Sequence, residues 1–515
     1  MEVREESQNN KRIAKNASLL YFRMLLLMVV NLYTSRVLLQ ALGVDDFAVY
    51  HVVGGCVALF SVLSGTLSAS ISRFIVYELG GGTPERLQRI FSTSLMIQLG
   101  LSVLIILLAE TIGLYYVNCQ MTCPPDRFGA ANWCYQLSLF TFCVNLMSVP
   151  YNAEIIAHER MSAFAYISII EAVGYLAIAF LIAFSSTDRL ILYAVLMSVQ
   201  ALLIRVCYVW YCRRRFAECV FHWLLDRALL KRMLSFAGWN MVGAAAGVIR
   251  EQGGLLLVNA FFSLAVNSAL VLSMKVNTAV SKFVQNFMVA LNPQITKSYA
   301  AGNQPYMFKL IFQGSRFAAY LLLLLSVPVL LNTAPLLDFW LADVPPHTVS
   351  FVRLILLLTL SESLSYPLIT AMLATGDIRD YQLVVGGLQL LNIPVSYLLL
   401  RWGRPAEVVL LVSIALSQCC LFARLLLLRK MISLDVGRFL KQVYANVLLV
   451  AVVGGGFSYA FNQLMTEDMS RLYVMSPVII VVLLLTEFFV GCDVGERQFA
   501  IQKARAYLTR YNIRI

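Results

Sequence analysis

Charged residues are scarce in this 515-residue sequence: Asp, Glu, Lys and Arg make up 13% of it, about half the share of a soluble domain. That scarcity excludes a soluble enzyme and a disordered scaffold. Histidine is also scarce, with four residues (His51, His158, His222 and His347) spread along the chain. No Cys/His group has metal-ligand spacing, so no metal site is expected. Most of the eleven cysteines fall in apolar runs as small packing residues, and only Cys119 and Cys123 share a loop where a disulfide is conceivable. Long polar segments are missing too. The longest connections, 212–234 and 491–515, are too short for a soluble domain. No cleavable leader is expected, because residues 1–15 are charged and the first apolar run is too long for a signal core.

What remains is apolar. Hydrophobic residues make up 60% of the chain and the mean hydropathy is +0.76, which predicts a polytopic, all-α membrane protein. Fourteen runs are long enough to span a bilayer: 17–40, 47–70, 91–117, 133–153, 164–184, 190–211, 235–261, 264–291, 310–332, 349–373, 383–400, 408–428, 443–461 and 472–490. The formal charge is +12, yet a nucleic-acid partner is excluded by so apolar a composition. With the N-terminus inside, most of the 40 cations fall on one face, and only Arg127, Arg189, Arg401, Arg404 and Arg471 on the other. This asymmetry predicts an inner (cytoplasmic) membrane protein of a bacterium with both termini in the cytoplasm.

A long-range repeat divides the chain. Gly81-Gly82-Thr83-Pro84 with Ile90-Phe91 and Ser94 returns about 220 residues later as Gly302-Asn303-Gln304-Pro305 with Ile311-Phe312 and Ser315. Ser148-Val149-Pro150 with Ala157 returns at nearly the same offset as Ser365-Tyr366-Pro367 with Ala374. The offset spans six helices, so the halves are parallel repeats with a substrate site expected between them. The expected organisation is a first lobe over 1–232, a second over 233–430, and two further helices with a basic tail over 431–515.

Nine cations lie inside the apolar runs: Arg23, Arg36, Arg205, Arg250, Lys275, Lys282, Arg316, Arg353 and Arg424. Each costs about 2.5–3.5 kcal/mol at a helix centre. Arg205 and Arg424 lie near an end and are expected to snorkel; Arg316 and Arg353 are expected to snorkel or to bond a neighbouring helix. Arg250, Lys275 and Lys282 lie deeper. Lys275 and Lys282 share a face with Thr278, Gln285 and Asn286. On helix seven, Asn240, Gly243, Gly247, Arg250, Glu251 and Gly254 form a small-and-polar stripe, in which close packing accounts for the glycines but not for the charges. Helix one adds Arg23, Arg36, Asn31 and Thr34. A basic cavity between lobes is the expectation, and its natural ligand is phosphate. Among the acids, Glu251 is expected to pair with Arg250, and Glu171, Glu251 and Glu362 are candidates for binding a coupling H+ or Na+. No cofactor is expected.

The segment Leu42-Gly43-Val44-Asp45-Asp46-Phe47-Ala48-Val49-Tyr50 resembles a signature of bacterial polysaccharide flippases, members of the multidrug/oligosaccharidyl-lipid/polysaccharide exporter superfamily. Ser35-Arg36, Ser68–Arg73 and the stretch from Pro150 to Arg160 extend the resemblance. It implies two six-helix lobes forming a V-shaped central cavity and working by alternating access. It also implies a cargo of undecaprenyl-diphosphate-linked oligosaccharide for O-antigen or capsule, with a polymerase and chain-length proteins as partners. On that reading Arg23, Arg36, Arg250, Lys275 and Lys282 hold the diphosphate, and the polyprenyl tail stays in lipid. Three alternatives stand beside it: a multidrug or small-cation exporter on the same fold, a flippase for the peptidoglycan precursor lipid II, and a membrane glycosyltransferase or polymerase using Asp45-Asp46.

Overall fold

The computed structural model describes residues 16–31, 33–34, 37–38, 40–43, 46, 49–50, 53, 61–119, 127–223, 226–341, 344–464, 469–498 and 501–502. Among them the chain is helical, with no strand. The helices are α1 (Asn16–Asn31), α2 (Ser61–Gly81), α3 (Pro84–Cys119), α4 (Phe128–Ala157), α5 (Met161–Ala183), α6 (Arg189–Arg215), α7 (Arg227–Phe261), α8 (Leu264–Ala300) and α9 (Gln304–Leu331). They continue as α10 (Thr348–Ser363 and Tyr366–Thr375), α11 (Arg379–Arg401), α12 (Val408–Ile432), α13 (Val436–Asn462) and α14 (Tyr473–Gly491). Ten of these are long and apolar enough to cross a membrane, eleven with the bent α10. The described part of α1 is short, the serines of α2 dilute its hydropathy, and α8 carries Asn267, Lys275, Asn277 and Lys282. A short helix, Thr333–Trp340, lies between α9 and α10, and the described part of α2 covers Ser61–Gly81 where 47–70 was expected; the other helices follow the expected order, and the chain is a multi-pass membrane protein.

Its outward faces agree. Tyr166, Ile170, Val173 and Leu181 of α5, and Leu203, Val206 and Trp210 of α6, are each more than half exposed, an apolar surface suited to lipid and costly in water. Serine and threonine inside the apolar runs are satisfied locally. The Ser94 hydroxyl donates to the Ile90 carbonyl and that of Ser168 to Phe164, each at 2.7 Å.

Packing divides the chain into two compact units, one of residues 1–244, 289–304 and 373–379, the other of residues 245–288, 305–372 and 380–515. The first division therefore falls inside α7, and α13 and α14 belong to the second unit. In the first unit Ile71, Ile75, Ile105, Ala131 and Tyr135 centre one core, and Phe91, Tyr151, Ile155, Cys212 and Phe216 another. In the second, Val258, Leu270, Phe351, Ile355 and Val409 join α7, α8, α10 and α12, while Tyr320, Leu323, Val450, Ile479 and Leu483 join α9, α13 and α14.

The repeat has local counterparts. Thr83 caps α3 with Pro84 in its first turn, and Pro305 sits in the first turn of α9 after Gly302, whose φ is +71°. The second pair diverges. Pro150 lies within a continuous α4, whereas α10 bends by 41° just before Pro367. Proline removes a helical N–H and crowds the preceding turn. The break is stabilised by tertiary bonds: the Ser315 hydroxyl donates to the Leu364 carbonyl at 3.0 Å, and Arg424 donates to the Ser365 hydroxyl at 3.0 Å.

Several expected roles change here. Arg424 does not snorkel; it is buried against that break. Arg205 lies over the Tyr151 ring, 4.3 Å from its centroid, and donates to the Met147 carbonyl. Arg353 donates to Thr333 at 3.4 Å, the helix–helix bond expected of it. Arg36 and Cys123 lie outside the described residues, as does Asp45.

Two cations read as opposite-face charge have structural work. Arg127 donates from Nε to Asp46 at 2.8 Å and from Nη1 to Asp188 at 2.7 Å, and Arg189 donates to the Ala41 carbonyl at 2.8 Å. Asp188 also caps α6 by accepting from the Leu190 and Ile191 amides. Partial burial pushes the Asp188 carboxyl up, but the bonds from Arg127 outweigh it and hold it below its ordinary value. A depressed folded-state pKa stabilises fully above the unfolded value of about 3.9 and is lost as pH falls through the folded value. Thermal unfolding in detergent should therefore show a loss of stability below about pH 4, and R127A should flatten that acid limb. Identical acid limbs in both proteins would remove Arg127 from this account.

Candidate functional site

The second unit holds a cavity of about 320 Å³. Along α8 it is lined by Leu270 and Met274 and by the polar residues Asn277, Thr278, Ser281, Lys282 and Gln285, which recur at helical spacing. α10 adds the apolar Ile355 and Leu358, and α12 adds Val409, Leu410 and the hydroxyl of Ser413. Into it α7 brings Arg250 and Glu251, and α10 brings Glu362 and Tyr366.

The ion pair at this cavity differs from the one expected. Arg250 donates from Nη1 to Glu362 Oε1 at 2.7 Å, with side-chain exposures of 21% and 30%; its partner is not Glu251. Adjacent helical residues point about 100° apart, so neighbours in sequence do not meet. Two cations, Arg250 and Lys282, and two acids, Glu251 and Glu362, balance the lining. This lining is charge-balanced.

The remaining candidates are dispersed. Lys275 is exposed on α8 and does not line the cavity. Thr278 donates to the Met274 carbonyl, and Asn286 to the Lys282 carbonyl. Arg23 and Asn240 belong to the first unit. Arg23 stacks on Phe164, its guanidinium 4.3 Å from the ring centroid. Thr34 donates to the Val30 carbonyl at 2.7 Å, and Asn31 is exposed. Glu171 accepts from the Tyr175 hydroxyl at 2.8 Å. Of the expected glycine stripe on α7, a Cβ on Gly254 would lie 3.3 Å from Val409 and one on Gly247 3.7 Å from Gln389; the tightest packing is at Gly253, outside that stripe, where a Cβ would lie 2.5 Å from Ile393.

Sequence reasoning missed two polar groups. Asn277 accepts from Thr359 and from Ser281, joining α8 to α10 beside the cavity. Gln418 links Ser361 to Tyr444, tying α10, α12 and α13 together. Asn277 lies one position from Thr278, whose polarity stood out, whereas nothing beside Gln418 did, and only the fold shows what either faces. Glu154, His158 and Glu218 also come together, with ligand-type atoms within 4.8 Å of one another. His158 and Glu218 are 2.6 Å apart, and the imidazole stacks on Phe216 at 4.1 Å. Burial pushes the Glu218 carboxyl up, but its bond with His158 outweighs this and holds it low. No spacing rule exposed this group, because Glu218 comes from the stretch after α6.

No family model and no curated protein matches the sequence. Solved structures do match. A MATE crystal structure in the straight conformation superposes with a TM-score of 0.71 at 12% identity, covering 82% of this chain and 96% of the other. The Vibrio cholerae MATE transporter VcmN gives 0.69 at 16% identity, over 82% and 98%. A MOP superfamily transporter from Pyrococcus furiosus, described as having a binding pocket of reversed polarity, gives 0.70 at 11% identity, over 82% and 96%. These matches are to transporters, not enzymes, and at such identities they establish architecture. The chain has the fold of the MATE transporters of the MOP superfamily.

Proposed function

We propose that this chain is a membrane exporter that moves amphiphilic organic cargo by alternating access. The observation carrying this reading is the second unit's cavity, whose lining mixes apolar and polar side chains with acids matching bases in number. Such a lining suits drug-like amphiphiles, the cargo of a multidrug exporter on this fold. The Arg250–Glu362 pair supplies the coupling step: a proton on Glu362 neutralises the carboxylate and releases Arg250, whose unpaired charge then rearranges the cavity wall.

A second reading, a flippase for lipid-linked oligosaccharide in a bacterial inner membrane with both termini cytoplasmic, is favoured by the Leu42–Tyr50 segment and by Lys282, which has no ion-pair partner among the described residues. There the diphosphate meets the cations and a polymerase receives the product. The glycosyltransferase reading loses ground because Asp46 is committed to Arg127.

The test is an accumulation assay in cells stripped of their own drug exporters. Cells expressing the chain should retain less ethidium than vector controls. Unchanged ethidium with restored surface glycan in a strain lacking its repeat-unit flippase would move the cargo to the second reading. Neither response would overturn the proposal.

A further inference from the structure

The first unit holds a larger cavity, about 1100 Å³, which shares no residue with the one described above. Six cations line it: Arg73 at the end of α2, Arg86 and Arg89 in the first turns of α3, Lys231 and Arg232 in the first turns of α7, and Arg379 at the start of α11. Its acids are Glu78, Asp226 and Asp377. Two of them are engaged with backbone amides. Glu78 accepts from the Thr83 amide at 3.4 Å, and Asp226 accepts from Ala228 and Leu229 at 3.0 Å each. None of the six cations has an ion-pair partner among the described residues.

Cytoplasmic loops of membrane proteins are basic for topological reasons, but that signal requires no convergence. Here three regions far apart in sequence, the α2–α3 turn and the starts of α7 and α11, bring their cations to one cavity, and the convergence is built. Arg73 donates from Nη2 to the Ala374 carbonyl at 2.8 Å and rests on Phe74, Tyr77 and Phe236, with centroids 4.8, 4.7 and 5.7 Å away. Its Nε is buried with no hydrogen-bond partner. Gly376, at φ +83°, lets the turn before α11 close on that guanidinium, since a Cβ there would lie 2.5 Å from Nη2. Arg379 lies 5.6 Å from the centre of the Trp239 ring. Gathering like charges is unfavourable unless an anion relieves it. Guanidinium forks bind phosphate oxygens in pairs, and an ammonium adds a point charge.

We propose that this cavity is a binding site for a phosphate-ester polyanion, the chemistry common to an anionic lipid headgroup and a soluble diphosphate. The site is independent of the cargo question, because its residues lie outside the cavity assigned to transport. The aromatic floor formed by Tyr77, Phe236 and Trp239 is compatible with either source, supporting a headgroup and its glycerol or the organic part of a soluble ester.

The probes are inorganic pyrophosphate and lipid nanodiscs, with the full chain throughout. In phosphatidylcholine discs, pyrophosphate should change the Trp239 emission, a change that W239F removes. Its affinity should weaken by about tenfold or more in R86Q/R89Q and in K231Q/R232Q, and far less in R86K/R89K, which keeps the charge and controls for folding. Phosphatidylglycerol discs should displace pyrophosphate if the natural source is a lipid, and leave its binding unchanged if the source is soluble. Absence of both a pyrophosphate response and a phosphatidylglycerol-dependent change in Trp239 emission would overturn the site. So would pyrophosphate binding that the two glutamine variants leave intact.

Discussion

Replacing Arg250 with alanine should reduce export by about tenfold or more while the protein still reaches the membrane. The variant leaves Glu362 without its 2.7 Å donor beside a cavity that already holds Glu251. A hydrogen bond to a charged group contributes about 1.5–3 kcal/mol, and the partial exposure of both side chains puts this one toward the lower end. That loss is small for a chain of this size, so the expected defect lies in transport rather than folding. E362Q should differ in kind. Glutamine retains an acceptor for Arg250 but cannot take up or release a proton, so transport should persist at a reduced rate and lose its dependence on pH across the membrane. A double-mutant cycle with R250A, E362Q and the double variant separates the pair from its parts. If R250A exports at the parental rate, or E362Q keeps the parental pH dependence, the pair is structural and the coupling step lies elsewhere.

That pair also shows how far a sequence reading reaches. The helices were legible, because an apolar run of about 20 residues in a membrane has few alternatives to an α-helix. The costliness of Arg250 was legible for the same reason. Its partner was not, since Glu251 adjoins it in sequence while Glu362 is 112 positions away and reaches it only through the packing of α7 on α10. The kink of α10 was half legible. Pro367 marks a place where a helix can break, yet Pro150 at the corresponding repeat position breaks nothing. What differs is the tertiary partners: Ser315 serves the Leu364 carbonyl at the break of α10, and Arg424 binds the Ser365 hydroxyl beside it. Basic residues near helix ends were read as an orientation signal. Arg73 and its neighbours carry that signal and also converge on one cavity, which spacing along the chain does not encode.

Arg316 should give the largest loss of stability. It lies in α9 and is 4% exposed, and it holds the end of α14 together. Nη1 donates to the Gly491 carbonyl at 3.3 Å, and Nη2 to Glu496 at 2.6 Å and to Asp493 at 3.1 Å. Gly491 closes a π-helical turn, and its carbonyl also accepts from the Tyr320 hydroxyl at 3.1 Å and from Asn446 at 3.3 Å. Gln313 donates to Glu496 at 2.8 Å, so two residues of α9 bind one carboxylate. Asp493 is 71% exposed and contributes little, whereas Glu496 is 14% exposed. Removing one partner of a buried pair costs about 3–5 kcal/mol, and R316A should fall at the lower end because Gln313 still serves Glu496. In detergent the variant should melt several degrees lower, and limited proteolysis should cut near residue 491 before it cuts elsewhere. R316K keeps the charge but replaces a three-way fork with a point donor, so it should recover only part of the loss. E496Q should cost less than R316A, since the amide still accepts from the guanidinium. An R316A melting temperature equal to that of the parent would mean that α14 is held by the apolar contacts of Val450, Ile479 and Leu483 alone.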